Sequence, residues 1–183
     1  MGPWEQPDQE KLGELLLYVA GRLDDDPAGG ATKLNKVLFF AEFSHIRTYG
    51  FPITGEPYQR LPQGPAPRHL IPVRERLIAD GAAALRPVKY FGRTQHRLVP
   101  RRDPDMSKFS SSEIEIVDQV IAAFRGKSAA EVSRISHEEI GWQLVDDGED
   151  IPFATAFLDS RDAVTETSRR HAEEIASRLG MTS

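Results

Sequence analysis

The strongest hydrophobic pattern in the chain runs from Thr32 to Gly50. Leu34, Val37, Leu38, Ala41 and His45 recur at helical spacing, and Phe39, Phe40, Phe43 and Ile46 widen the stripe to most of the circumference. A helix that is apolar nearly all round is buried by other elements on every side. The segment therefore predicts a central helix. Thr32 is expected to cap its N-terminus through the hydroxyl, and Gly50 to end it in a left-handed turn. Lys33, Lys36, Glu42 and Arg47 are expected to reach outward.

The rest of the pattern arranges itself around this helix. Leu12, Leu15, Leu16, Val19 and Leu23 predict an amphipathic helix over Asp8–Leu23, blocked backwards by Pro7. Asp24–Gly30 reads as a solvated acidic loop, without the alternating carboxylates and distal Glu of a calcium loop. Between Phe51 and Leu61 only Ile53-Thr54 and Tyr58–Leu61 are free enough of Pro and Gly to be extended. Pro62–Pro67 is a rigid loop that sets the angle of the next helix. That helix, Arg68–Asp80, is expected to turn Leu70, Ile71, Val73, Leu77 and Ile78 inward and to stop at Gly81. Pro72 lies in its first turn, where the missing N–H costs least.

Ala84–Tyr90 and Gln95–Pro100 predict a β-hairpin around Phe91-Gly92-Arg93-Thr94. Ser110/Glu113 and Ser128/Glu131 have capping-box spacing and open two further helices. The first carries Ile114, Val117, Val120, Ile121 and Phe124. Asp146–Asp150 is an acidic turn, Ile151–Phe153 is extended, and Ser160–Leu179 predicts a last helix. The fold expected is mainly α (α+β): a helical domain around a buried central helix, with a small antiparallel β-hairpin. Residues 1–30 form an N-terminal helix and acidic linker, 31–158 the core domain and 159–183 a C-terminal helix, together one structural unit.

Composition narrows the class. A chain of 183 residues can bury about 70% of its unfolded surface, so it needs no disulfide or metal to fold. There is no cysteine, and no apolar run approaches the roughly 20 residues that span a bilayer. These features fit a soluble cytoplasmic protein without a membrane partner. The net charge of −5 hides a basic middle: Arg60, Arg68, Arg74, Arg76, Arg86, Lys89, Arg93, Arg97, Arg101 and Arg102 stand against Glu75 and Asp80. Such a stretch is either a nucleic-acid face, a site for an acidic partner, or one half of intramolecular pairing.

Signatures of catalysis are missing. There is no phosphate-cradling Gly loop with its Lys and Ser/Thr and no Gly-x-Ser-x-Gly elbow. Glu42 and His45 have the Glu-x-x-His spacing of di-iron bundles, but no second copy accompanies them. The sequence thus predicts no enzyme, no metal and no cofactor. A helix followed by a basic hairpin also has the layout of a winged helix. In that alternative the protein is a transcriptional regulator, with Arg86, Lys89, Arg93 and Arg97 contacting DNA.

Four motifs resemble a known family. Lys33-Leu34-Asn35-Lys36-Val37-Leu38-Phe39-Phe40-Ala41, Ile53-Thr54-Gly55, Gly64-Pro65-Ala66-Pro67, and Ser136-His137 followed by Trp142 stand in the order found in the Panacea domain, the SocA-like, phage-associated antitoxin family. Phe39 replaces the family's Tyr. The resemblance covers the chain from about Lys33 to Phe153. It implies a mainly helical domain that works as the antitoxin of a toxin–antitoxin system. Such a protein neutralises a cognate toxin, encoded by the adjacent gene, through direct protein–protein binding, in some members by delivery to a Clp-type protease. It implies that Lys33, Leu34, Lys36, Gly64, Pro65, Ser136, His137 and Trp142 are structural or binding residues. A binding surface needs aromatic or Arg anchors. Tyr49, Phe51, Tyr58, Arg60, Gln63 and His69, around the loop after the central helix, are the expected patch. DNA binding and homo-oligomers are left open.

Overall fold

The computed structural model describes residues 6–158. Among them the helices are α1 (Gln9–Arg22), α2 (Ala31–Tyr49), α3 (Leu70–Ala79), α4 (Ser111–Phe124), α5 (Ala129–His137) and α6 (Ile140–Leu144). Two antiparallel pairs accompany them: β1 (Tyr58–Gln59) with β2 (Ala66–Pro67), and β3 (Ala83–Tyr90) with β4 (Arg93–Pro100). The fold is mainly helical with a small β component, as the pattern predicts. The Ser160–Leu179 helix expectation lies outside the described residues.

α2 is the hub. It packs against α1, α4, α5, β2 and β4 and against a 3-10 turn at Phe153–Phe157. Val37, Leu38, Phe39, Ala41, Phe43 and Ile46 are buried, and Leu12, Leu15, Leu16, Leu17 and Val19 of α1 join them in one core. Each such aliphatic side chain contributes about 1.5–3 kcal/mol through burial. Phe39 and Phe43 meet Tyr58 edge-on, with ring centroids 5.5 and 6.1 Å away. Both capping boxes form: the Ser110 and Ser128 side chains accept from the N–H groups of Glu113 and Glu131, whose carboxylates reach back.

Four smaller expectations need correction. The first residue of α2 is Ala31 and its N-cap is Gly30, two positions before Thr32. The chain is already tightly turned there. Asp26 Oδ1 accepts from Ala28 N–H, and a Cβ at Gly30 would lie 2.0 Å from Gln95 Oε1. The 24–30 loop is not wholly solvated either, since Asp26 is buried. In α3, Ile71 is exposed and only Val73 and Leu77 are fully buried, because the helix lies at the edge of the core. The rigid 62–67 loop ends in strand, with Ala66 and Pro67 pairing back on Gln59 and Tyr58.

The largest correction concerns α2 itself. Lys33, Lys36 and Glu42 do not reach outward: they are 0%, 1% and 0% exposed. A helix surrounded on all sides has no solvent face for them, so each must find its partner inside.

Candidate functional site

The polar residues of α2 find those partners in a buried carboxylate and in backbone groups of loops and of the end of α4. Lys33 Nζ pairs with Asp26 Oδ2 at 2.7 Å and donates to the Phe124 carbonyl at the end of α4. Lys36 Nζ donates to the Pro65 carbonyl at 2.9 Å. Glu42 Oε1 accepts from the Thr54 and Gly55 N–H groups at 2.9 and 2.7 Å and from the Thr54 hydroxyl. His45 Nδ1 lies 2.7 Å from the Phe51 carbonyl and donates to it. One helix thus fixes three separate loops and the end of α4. Burial pushes the Glu42 carboxyl up to about 7 against these hydrogen bonds, and it draws the Lys36 ammonium down to about 8.

Around Lys36 the motif residues converge. Gly64, at φ +94°, is laid directly on it: a Cβ there would stand 2.2 Å from Ser136 Oγ and 2.6 Å from Lys36 Cε. Ser136 is buried and donates to the Ser133 carbonyl, while Ser133 donates to the Gln63 carbonyl at 2.7 Å. His137 stacks on Trp142, centroids 4.2 Å apart and 18° between planes. Trp142 Nε1 donates to the Leu61 carbonyl, and the Arg60 guanidinium lies 4.1 Å from the indole centroid. Arg60 also donates to the Trp142 and Val145 carbonyls and pairs with Asp147. The His137 imidazole is held below its ordinary pKa by burial, and then by the Lys36 and Arg60 charges. Its Nε2 has no hydrogen-bond partner among the described residues.

This arrangement is a clasp. The loop 61–65 is gripped from α2 by Lys36, from α5 by Ser133 and Ser136, and from α6 by Trp142. Because Lys36 is out of contact with solvent, it positions the loop and presents no charge. The sequence motifs identify Lys36, Gly64, Pro65, Ser136, His137 and Trp142, and the fold brings all six together. Lys33 and Leu34 stand apart from them: Leu34 is core, and Lys33 is tied to Asp26 and α4. Sequence reasoning missed Ser133 and the buried Asp26 and Glu56. A Ser one helical turn before Ser136, and an acid ahead of Pro27, are the only signals that would have suggested two of them.

The expected partner patch is divided. Tyr49 and Phe51 are exposed and rest on His45, ring centroids 4.8 and 4.9 Å away. They belong to the far end of α2, about 20 Å along its axis from Lys36. Gln63 is exposed on the clasp loop, with Arg60 half-buried beside it. His69 is half-buried, its N–H and Nδ1 on the buried Glu56 carboxylate. Tyr58 is no surface residue at all. It is 0% exposed, because β1 turns it onto Phe39 and Phe43. Its hydroxyl has no partner among the described residues, and burial, then the Glu42 and Glu56 charges, push its pKa well above the usual tyrosine value. A buried unbonded hydroxyl costs about 1–3 kcal/mol. Tyr58→Phe is therefore expected to raise the unfolding free energy by about 1 kcal/mol in urea titration. A comparable loss would mean that the hydroxyl is bonded after all.

The basic middle is in part paired within the molecule. Arg86 pairs with Asp24, Arg68 with Asp150 and Arg102 with Glu14. Arg97 is 5% exposed and donates to the carbonyls of Asp24 and Pro27. As candidate DNA contacts, Arg97 is therefore corrected and Arg86 is already engaged. The acidic loop lies against the stem of the hairpin and consumes its charge. Lys89 and Arg93 remain exposed near the tip.

A family model described as antitoxin SocA-like, Panacea domain, matches residues 34–143, well over half of the chain. No curated protein and no solved structure matches it. The matched span contains the whole clasp.

Proposed function

This chain belongs to the family of SocA-like antitoxins with a Panacea domain, and from that membership we propose that it neutralises one cognate protein toxin by direct binding. The toxin is the product of the adjacent gene. The protein acts in the cytoplasm, without turnover and without a cofactor. It either masks the toxin or hands it to a Clp-type protease. The observation that carries this reading is the convergence of the family motifs on one clasp, which sets the shape of the surface around Gln63 and Arg60. Among the described residues no helix is long and apolar enough to cross a membrane.

The test is growth of cells that express the neighbouring gene, with and without this chain. Arrest that is relieved by the chain, together with co-purification of the two proteins, is the expected result. A toxic neighbour that is neither rescued nor bound would remove the reading, and so would a harmless one.

A DNA-binding regulator is disfavoured by the same geometry. With Arg86 and Arg97 engaged, few cations are left for phosphate contacts. An affinity for duplex DNA that falls with salt at a slope near −0.9 for each phosphate contacted would revive it.

A further inference from the structure

The tip of the β3–β4 hairpin is built in a way that the fold itself does not reward. Tyr90 and Arg93 are the last paired residues, so the turn consists of Phe91 and Gly92 alone. Both have positive φ, +46° and +74°. Two-residue hairpin turns with this geometry favour Asn-Gly or Asp-Gly, because a bulky L side chain in the left-handed region costs about 1–2 kcal/mol. Phe91 accepts that strain and is also 88% exposed, more than any other large hydrophobic residue among those described. Among the described residues the only aromatic ring it meets is that of Tyr90, edge-on, at 4.7 Å. Strain and exposure act against stability together, and no packing within the described residues offsets them.

The charge around the tip says what it fits. Further down the stem, Arg86 and Arg97 are tied to the 24–27 loop. Lys89 and Arg93 flank the aromatic pair, both exposed, and neither makes an ion pair among the described residues. Among the described residues Lys89 donates only to Thr94 Oγ1. The tip is therefore one projecting aromatic ring between two unneutralised cations, on a chain whose net charge is −5.

We infer that the Phe91 tip is an anchor that enters an apolar pocket with an acidic rim on the toxin protein. This rests on the antitoxin reading and adds to it the contacting element and the chemistry of its counterpart. An aromatic anchor filling a pocket supplies most of the energy of such an interface, while the flanking charges set its approach rate and salt dependence. The position differs from the Tyr49–Phe51 ledge and from the clasp, so the three surfaces are separable by mutation.

The experiment uses the full chain and the adjacent gene's product. Phe91→Asn places a favoured residue in the turn, so the variant should fold at least as well as the wild type, with an equal or higher Tm. It should nevertheless bind the toxin about 30-fold more weakly, the loss seen on truncating an anchor, and rescue growth poorly. Lys89→Glu with Arg93→Glu should slow association and invert the salt dependence. Rescue and affinity unchanged in Phe91→Asn, with the wild type active, would overturn the tip assignment and leave the antitoxin reading standing. A wild-type chain that neither rescues nor binds overturns both. A defect of Phe91→Asn in duplex DNA binding, with toxin binding intact, overturns it in favour of a nucleic-acid wing.

Discussion

Gly64→Ala is expected to destabilise the protein by about 3–5 kcal/mol, the sum of a strained backbone and an overpacked contact. Gly64 has φ +94°, where an L side chain is strained whatever the space. A Cβ there would also stand 2.2 Å from Ser136 Oγ, 2.6 Å from Lys36 Cε and 3.0 Å from Lys36 Nζ. None of these atoms can retreat freely. Ser136 is buried in α5, and Lys36 is fixed by its bond to Pro65. Gly50→Ala provides the control, because Gly50 shares the positive φ, +83°, but has nothing within 4 Å of the new Cβ. It should cost only about 1 kcal/mol. Urea unfolding of the two variants separates backbone strain from packing. Equal costs would mean that the loop does not lie on Lys36, and the clasp would fall. Since the clasp shapes the Gln63–Arg60 surface, Gly64→Ala should also lose toxin rescue, whereas Gly50→Ala should keep it.

Glu42→Gln should stabilise the protein at neutral and alkaline pH, although it removes a charged residue of the central motif. The Glu42 carboxyl is buried and raised from 4.5 to about 7. An acid with a raised folded-state pKa binds its proton more tightly in the folded protein. Its contribution is fully present below the unfolded value and is lost as pH rises through the folded one. Gln keeps the acceptor for the Thr54 and Gly55 N–H groups and never carries the buried charge. The stability difference between variant and wild type should therefore grow between pH 4.5 and about 7 and then level off, reaching on the order of 3 kcal/mol. Taking the difference cancels His137, whose lowered pKa acts in the opposite sense below its ordinary value. It also cancels Lys36, whose effect lies above about 8. Denaturation at about pH 5 and about pH 8 is sufficient. A wild type that gains on the variant as pH rises would show that Glu42 is ionised and well solvated.

Both variants test features that the pattern of residues did not disclose. Helical periodicity in Leu34–Ile46 was enough to identify α2, to predict its burial and to make it the hub. Ser110/Glu113 and Ser128/Glu131 announce two helix starts, and the apolar residues of 84–100 announce the hairpin, though with a four-residue connection where pairing leaves only Phe91 and Gly92 in the turn. These signals are local: each depends on side chains within one or two turns of helix, or across one hairpin. The four motifs also marked the clasp residues as a set, though not what holds them together.

The fate of the polar residues needed the tertiary structure. Lys33, Lys36 and Glu42 sit on the sequence as any surface charge would. Their burial follows from elements arriving from elsewhere in the chain, and their partners lie as far off as Pro65 and Phe124. By sequence Tyr58 suits a contact surface, but β1 turns it inward. By sequence Arg86 and Arg97 suit a nucleic-acid face, but the 24–27 loop lies against them and takes up their donors. Hydrophobic burial is non-directional and leaves a periodic trace in the sequence. A buried hydrogen bond or ion pair is directional and depends on where two distant backbones meet. The sequence therefore determined which helix lies at the centre, and only the packed structure decided which charges it would take inside with it.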